Sequence, residues 1–179
     1  MSTLPAQKAQ VRVHIRWMIR RDMPEVLAIE SNSFEYPWCE EEFLRVLRQR
    51  NCIGMVAEQG ERVVGFMIYE LHKSKLQVLD FAVAEDCRRT GVGHQMVQKL
   101  VGKLSGHRRT KISLACRETA LAAQLFFRIE GFRASQVIRE HFEDTGEDAY
   151  VMQYHYDEVV VEERVGGPIN RIARQLENL

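Results

Sequence analysis

The stretch Val83-Ala84-Glu85-Asp86-Cys87-Arg88-Arg89-Thr90-Gly91-Val92-Gly93-His94 lies between an apolar strand-like run and an amphipathic helix-like one. Glycines let a backbone come close to a ligand. The free N–H groups and positive dipole at a helix start then favour an anion, typically a phosphate. Arg88 and Arg89 add positive charge at the same place. Two familiar phosphate loops are excluded by the letters. A Walker A loop needs Lys and then Ser or Thr after its last glycine, and Gly93 is followed by His94-Gln95. A dinucleotide fingerprint needs a third glycine and an acid about 20 residues on. Position 96 is Met, and no Asp or Glu occurs from Cys87 to Arg117.

Outward from this turn, Leu76–Val83 is apolar enough for a central strand. After the glycines, Val92, Met96, Val97, Leu100, Val101 and Leu104 recur at helical spacing, and Gly106 is read as the helix end. Lys111–Cys116 follows as a short strand. Ala122, Leu125, Phe126 and Ile129 mark another helix, stopped at Gly131. Phe132–Glu140 and Asp148–Tyr156 read as the last two strands. Upstream, Val13–Met18 is a strand, and Asp22-Met23-Pro24-Glu25 announces a helix to about Phe34. Tyr36-Pro37-Trp38 interrupts before a second helix from Glu40 to Arg48. Cys52–Glu58 and Arg62–Leu71 form a hairpin about Gln59-Gly60-Glu61. The order β-α-α-β-β-β-α-β-α-β-β predicts an α/β domain, a mixed sheet with helices on both faces.

The chain has 179 residues, 25 Lys or Arg against 25 Asp or Glu. At about 100–200 residues per domain that is one domain, read as residues 13–156. Residues 1–12 are read as a loose terminus. Residues 157–179 are read as an appendage with a short amphipathic helix (Ile169, Ile172, Ala173, Leu176) that packs on its own domain or meets a second subunit. Zero net charge argues against a nonspecific nucleic-acid partner. No run of about 20 apolar residues offers a membrane span, and no apolar signal core opens the chain. A cytoplasmic protein is expected. Cys39, Cys52, Cys87 and Cys116 stand apart without a Cys-x-x-Cys pair, and the histidines include no His-x-x-x-His pair, so no metal is expected.

Arg88-Arg89-Thr90-Gly91-Val92-Gly93 fits the Arg/Gln-x-x-Gly-x-Gly/Ala signature, and the chain here resembles the GNAT N-acetyltransferase superfamily. Ser33-Phe34-Glu35-Tyr36-Pro37-Trp38, Phe81-Ala82-Val83, residues 123–132 and Gly146-Glu147-Asp148-Ala149-Tyr150 resemble the branch that acetylates protein N-termini, of which the ribosomal-protein-alanine acetyltransferases are the bacterial type. The resemblance spans about residues 14–156 and implies a mixed, mostly antiparallel sheet with acetyl-CoA as co-substrate. It implies that the backbone of Phe81, Ala82 and Val83 pairs with the pantetheine arm and acetyl group. The turn Arg88, Arg89, Thr90, Gly91, Val92, Gly93, His94 would hold the pyrophosphate. Phe34, Tyr36 and Tyr150 would border the acceptor groove, although Phe34 and Trp38 also suit plain core and Tyr150 a buried strand position.

Transfer to an amine needs a base for the ammonium and an acid for the thiolate. The family usually places a Glu or His on the strand before Arg117 and a Tyr on the next helix. Here those positions hold Ala115 and Phe127, and a common Asn is replaced by Ala120. Asp80 and Glu118 are the carboxylates left to relay a proton. Asp80 equally suits strand-end amides, and Glu118 a helix-start charge. Tyr150 or Tyr154 is an alternative acid. Positioning alone, with solvent handling the protons, is a third route.

Neutrality conceals segregation. Cys87–Arg117 holds eight Lys or Arg and no acid, Asp22–Leu44 seven acids, and Glu140–Glu163 nine acids, both without Lys or Arg. An acidic rim around the groove would attract a cationic acceptor. Three functions compete: acetylation of a protein N-terminus, with a ribosomal protein as a candidate acceptor; acetylation of a small amine; and an acyl-CoA-binding regulatory module without turnover. Oligomeric state is left open.

Overall fold

The computed structural model describes residues 9–156. The elements are β1 (His14–Trp17), α1 (Met23–Ser33), α2 (Glu40–Leu47), β2 (Cys52–Gln59), β3 (Arg62–Leu71), β4 (Lys75–Val83), α3 (Val92–Val101), β5 (Lys111–Arg117), α4 (Leu121–Ile129), β6 (Arg133–Phe142) and β7 (Glu147–His155). They form one seven-stranded sheet in the order β1-β2-β3-β4-β5-β7-β6. Only β4 and β5 run parallel; the other five pairings are antiparallel. The expected element order and mixed, mostly antiparallel sheet are borne out. The appendage expected at 157–179 lies outside the described residues.

Neighbouring residues on a strand point to opposite faces, and β3 shows which helices take which face. Phe66 packs edge-on against Phe43 of α2, ring centroids 5.6 Å apart. At Gly65 a Cβ would lie 2.9 Å from Met96 Sδ of α3. Helices α2 and α3 therefore cover opposite faces. Asp80 lies opposite Ile68 and shares the Phe66 face; Phe81 lies opposite Met67 and shares the Gly65 face. Phe81 accordingly meets Phe126 and Phe127 of α4, at 6.0 and 5.5 Å.

Local chemistry fixes the helix starts. At α1, Pro24 sits in the first turn, where its missing N–H costs nothing. The Asp22 carboxylate just before it accepts from Ile19 N at 2.8 Å and from the Arg16 guanidinium at 2.7 and 2.9 Å. At α2, Glu42 accepts from the backbone N–H of Cys39 at 2.9 Å, half of a capping box. Element ends differ from expectation by one or two residues, and at α3 by more. Helix α3 ends at Val101 with Gly102 as its cap, not at Gly106. Leu104 is still buried, because a tight turn (Leu104 N to Val101 O, 3.0 Å) brings it back to the core.

Two irregularities make the site. Tyr69 faces Val78 and Ile68 faces Asp80, so Leu79 is an extra residue in β4. Such a bulge bends and twists its strand. The β4–β5 ladder ends at Gln77 and Ser113, although the strands continue to Val83 and Arg117. Beyond that point the sheet is split.

Candidate active site

The split between β4 and β5 is a cleft. Its walls are Leu79, Asp80 and Phe81 of β4, residues 114–117 of β5, Phe34, Tyr36 and Trp38 between α1 and α2, and Ala123 and Phe127 of α4. Phe34 and Tyr36 are 41% and 46% exposed, so they border an opening instead of filling core. Trp38 is half-buried and packs edge-on to Phe43 at 5.4 Å while also lining the cleft.

Deep in the cleft stand two carboxyl groups. Glu30 of α1 is 2% exposed and Asp80 is 8% exposed. Glu30 Oε1 accepts the backbone N–H of Trp38 at 2.8 Å. Glu30 Oε2 and Asp80 Oδ2 are buried without any other partner among the described residues. Burial disfavours the ionised forms, and each charge opposes the other. Desolvation first, and Glu30 second, push the Asp80 carboxyl up to about 8, against the pull of the Phe81 N–H. Glu30 is raised chiefly by burial, with the Trp38 N–H opposing. At neutral pH the pair holds a proton.

The sequence reading named Asp80 and missed Glu30, one acid among seven in a run that reads as a solvated face. The signal available was its place on the apolar side of α1, one residue after Ile29 and four after Val26, both buried. Glu118 goes elsewhere. It is exposed, its carboxylate accepts the Asp148 N–H at 3.3 Å, and it is not part of the cleft wall. Tyr150 lines a separate hollow with Leu125, Arg128 and Met152. Tyr154 packs on Phe132 with centroids 5.6 Å apart.

Ala115, Ala120 and Phe127 all line the cleft. The positions where a polar group was expected by resemblance are therefore in place, with apolar side chains. Phe127 is 6% exposed and sits edge-on to Phe81, Phe126 and Phe132, centroids 5.0 to 5.5 Å apart. Ala120 caps α4 without a side-chain bond. Gln124 ties that end down through its Nε2, donating to Arg117 O at 2.8 Å.

The turn between β4 and α3 runs through a short 3-10 segment (Glu85–Cys87) into α3. Arg89 (φ 64°) and Gly91 (φ 86°) are both left-handed, flanking Thr90, whose hydroxyl donates to Cys87 O at 2.6 Å. Gly91 suits that conformation at no steric cost. Gly93 serves packing: a Cβ there would lie 3.0 Å from Phe126 Cζ. The first N–H groups of α3 have no acceptor within the helix. Arg88 is exposed, and its guanidinium donates to Val83 O and Ser33 Oγ, both at 3.0 Å. His94 Nδ1 lies 2.9 Å from Glu130 Oε2 at the end of α4. Within the segment read as a loose terminus, Val11 N donates to Thr90 O at 2.9 Å, and Gln95 Nε2 donates to Val11 O at 2.6 Å.

A sequence profile of the acetyltransferase (GNAT) family matches residues 23–132. The chain belongs to this family. It is 24% identical over 133 residues to the [ribosomal protein bS18]-alanine N-acetyltransferase of Escherichia coli, covering 73% of this chain and 89% of that protein. An uncharacterized N-acetyltransferase of Methanocaldococcus jannaschii is 28% identical over 140 residues, 77% of this chain and 88% of that one. Among solved structures, Ard1 from Thermoplasma volcanium superposes with a TM-score of 0.74 at 24% identity, over 83% of this chain and 100% of that chain. Arabidopsis thaliana NAA60 in complex with acetyl-CoA gives 0.71 at 15% identity, over 80% and 99%.

In this GNAT domain part of the opposed charge blocks is taken up by the fold. Arg117, from the basic block, binds Asp144 at 2.5 Å and Glu147 at 3.0 Å, from an acidic one. Its guanidinium lies 4.0 Å from the centre of the Phe142 ring and 5.4 Å from that of Tyr36. Arg139 pairs with Asp148, Arg16 with Asp22, and Glu42 caps α2. Glu35 lines the cleft and makes no ion pair among the described residues.

Proposed function

We propose that this acetyltransferase moves the acetyl group of acetyl-CoA to an α-amine at a protein N-terminus, with a ribosomal protein among the candidate acceptors. The observation carrying this reading is the split sheet: a cleft with backbone edge on one wall, an anion-suited helix start beside it, and an aromatic mouth opposite. The residues present fit acetyl-CoA, which would supply the thioester. Past Gln77 the β5-facing edge of β4 has no ladder partner among the described residues, which suits pairing of Phe81, Ala82 and Val83 with the amide-bearing arm. The turn from Arg88 to His94 suits the pyrophosphate. Phe34 and Tyr36 would flank the acceptor, and Asp80 lines the same cleft. The similarity to N-terminal acetyltransferases supports a protein acceptor. Four free thiols accord with a reducing, cytoplasmic setting.

The test follows thiol release with acetyl-CoA and three acceptors: an unblocked peptide, the same peptide N-blocked with an internal lysine, and a polyamine. Release with the first alone is expected; release with the polyamine alone favours a small-amine enzyme. The apolar side chains at Ala115 and Phe127 favour a second reading, a module that binds acyl-CoA without turnover. A thermal shift with acetyl-CoA and no thiol release from any acceptor would establish that one.

A further inference from the structure

We propose that Glu30 and Asp80 act as one proton acceptor for the attacking amine, in place of the groups that Ala115 and Phe127 do not supply. This assignment rests on the acetyltransferase reading. Both carboxyl groups are more than nine-tenths buried, both line the cleft, and each keeps one oxygen with no other partner. Two oxygens from adjacent carboxyls, orphaned in the same dry cleft, are satisfied together by one shared proton. A purely structural carboxyl would spend both oxygens on N–H donors, as Asp22 does with Ile19 and Arg16.

The surrounding charges leave the pair this role. From α2, Glu42 adds repulsion to Glu30. Glu35 and Glu147 line the same cleft. Among the described residues Arg117 is the one cation lining it, and Asp144 and Glu147 hold it. Cys116 also lines the cleft, with burial pushing its thiol up to about 11, so it stays neutral. Tyr36 stands at the mouth. Among the described residues no cation pairs with Glu30 or Asp80.

The step balances without another reactant. The acceptor enters as an ammonium, and one N–H proton passes to the ionised pair. The freed nitrogen lone pair forms the C–N bond to the acetyl carbon. The C–S bond breaks with its electrons on sulfur, and a second N–H proton neutralises that thiolate. The proton on the pair returns to solvent through the mouth beside Phe34 and Tyr36. One proton is released per amide formed. A base whose pKa lies near that of the amine is the best match for this transfer, and an α-amine titrates near 8.

The experiment measures kcat between pH 6 and 9.5, at saturating acetyl-CoA and unblocked peptide, for the wild type, Glu30→Gln and Asp80→Asn. The wild-type kcat is expected to rise along a limb near pH 8. Removing the Glu30 charge should move that limb acidward by about one pH unit or more, since like-charge repulsion is relieved. Asp80→Asn should lower kcat by about 100-fold or more, the usual worth of a general base, while the thermal shift with acetyl-CoA persists. Glu30→Gln keeps an acceptor for the Trp38 N–H, so it decides the matter if Asp80→Asn fails to fold. An Asp80→Asn kcat within threefold of wild type, or an unmoved limb in Glu30→Gln, overturns the assignment. No transfer by the wild type to any amine overturns the function itself and the assignment with it.

Discussion

Replacing Asp80 by asparagine keeps the shape of the cleft and removes one of its two buried acids, with a consequence for stability separate from catalysis. The Asp80 carboxyl is pushed up to about 8 in the folded protein, whereas an unfolded aspartate titrates near 4. Between those values the folded state holds a proton that the unfolded state has released. A folded pKa above the unfolded one means stability fully present below about pH 4 and lost as pH rises towards 8. The slope is about 1.4 kcal/mol per pH unit for one proton. Asparagine cannot ionise, so the gap between variant and wild type should widen in the variant's favour by about 4 kcal/mol from pH 5 to pH 8. Above pH 8 it should level off. The new side-chain amide also has a ready acceptor in Glu30 Oε2, which has no other partner.

The assay is urea unfolding of both proteins at pH 5, 6, 7 and 8 in one buffer series at constant ionic strength. Reading the difference between the proteins cancels titrations common to both. A difference that stays constant over that range would mean Asp80 is ionised in the folded state at pH 5, and the shared-proton account would be wrong.

Phe43→Ala should cost about 3–5 kcal/mol in urea unfolding, the usual loss for a buried ring, because Phe43 is 0% exposed and held between Trp38 and Phe66. It should also raise KM for the acceptor, since Trp38 lines the cleft. Gly91→Ala should cost about 1–2 kcal/mol for a left-handed alanine and shrink the thermal shift on adding acetyl-CoA. Asp22→Asn should cost about 1–3 kcal/mol at pH 7, the usual worth of a hydrogen bond to a charged group, since Arg16 loses its buried carboxylate partner but keeps Glu58 at 3.0 Å. The Asp22 carboxyl is held below the usual range chiefly by Arg16. Its contribution is present above about pH 4 and lost as pH falls below that, so the variant's acid unfolding curve should be shallower.

The element order was legible because it depends on short-range periodicity, as in the Cys52–Gln59 and Arg62–Leu71 pair about Gly60. The cleft was not legible, because a bulge is a mismatch between two strands. Leu79 is one apolar residue among many in Leu76–Val83, and only its register against Ile68 and Tyr69 makes it extra. Asp80 stood out as an acid inside an apolar strand. Glu30 did not, because its burial comes from the Trp38 loop and from β4, about 50 residues downstream. The placement of Tyr150 turned on register as well. It pairs with Cys116 and faces the hollow under α4. Helix α3 was read too long because Leu104 continues the apolar spacing while leaving the helix.

The same point bears on how the cleft prefers a cation. The sequence placed that preference in an acidic rim, but several rim acids already serve the fold: Asp144 and Glu147 hold Arg117, Asp148 holds Arg139, and Glu42 caps α2. Exposed charges also act weakly across water and salt. Of the cleft carboxyls that make no ion pair among the described residues, Glu35 is exposed, while Glu30 and Asp80 are buried. In a buried site the charge of the ionised pair attracts a cation far more strongly than several charges on a wet surface. The pair would then draw the amine in as its charged form and take the proton that keeps it from reacting. An alcohol of the same size brings no charge and gains neither benefit. Selectivity for amines would thus come from the acids that cost the folded protein most.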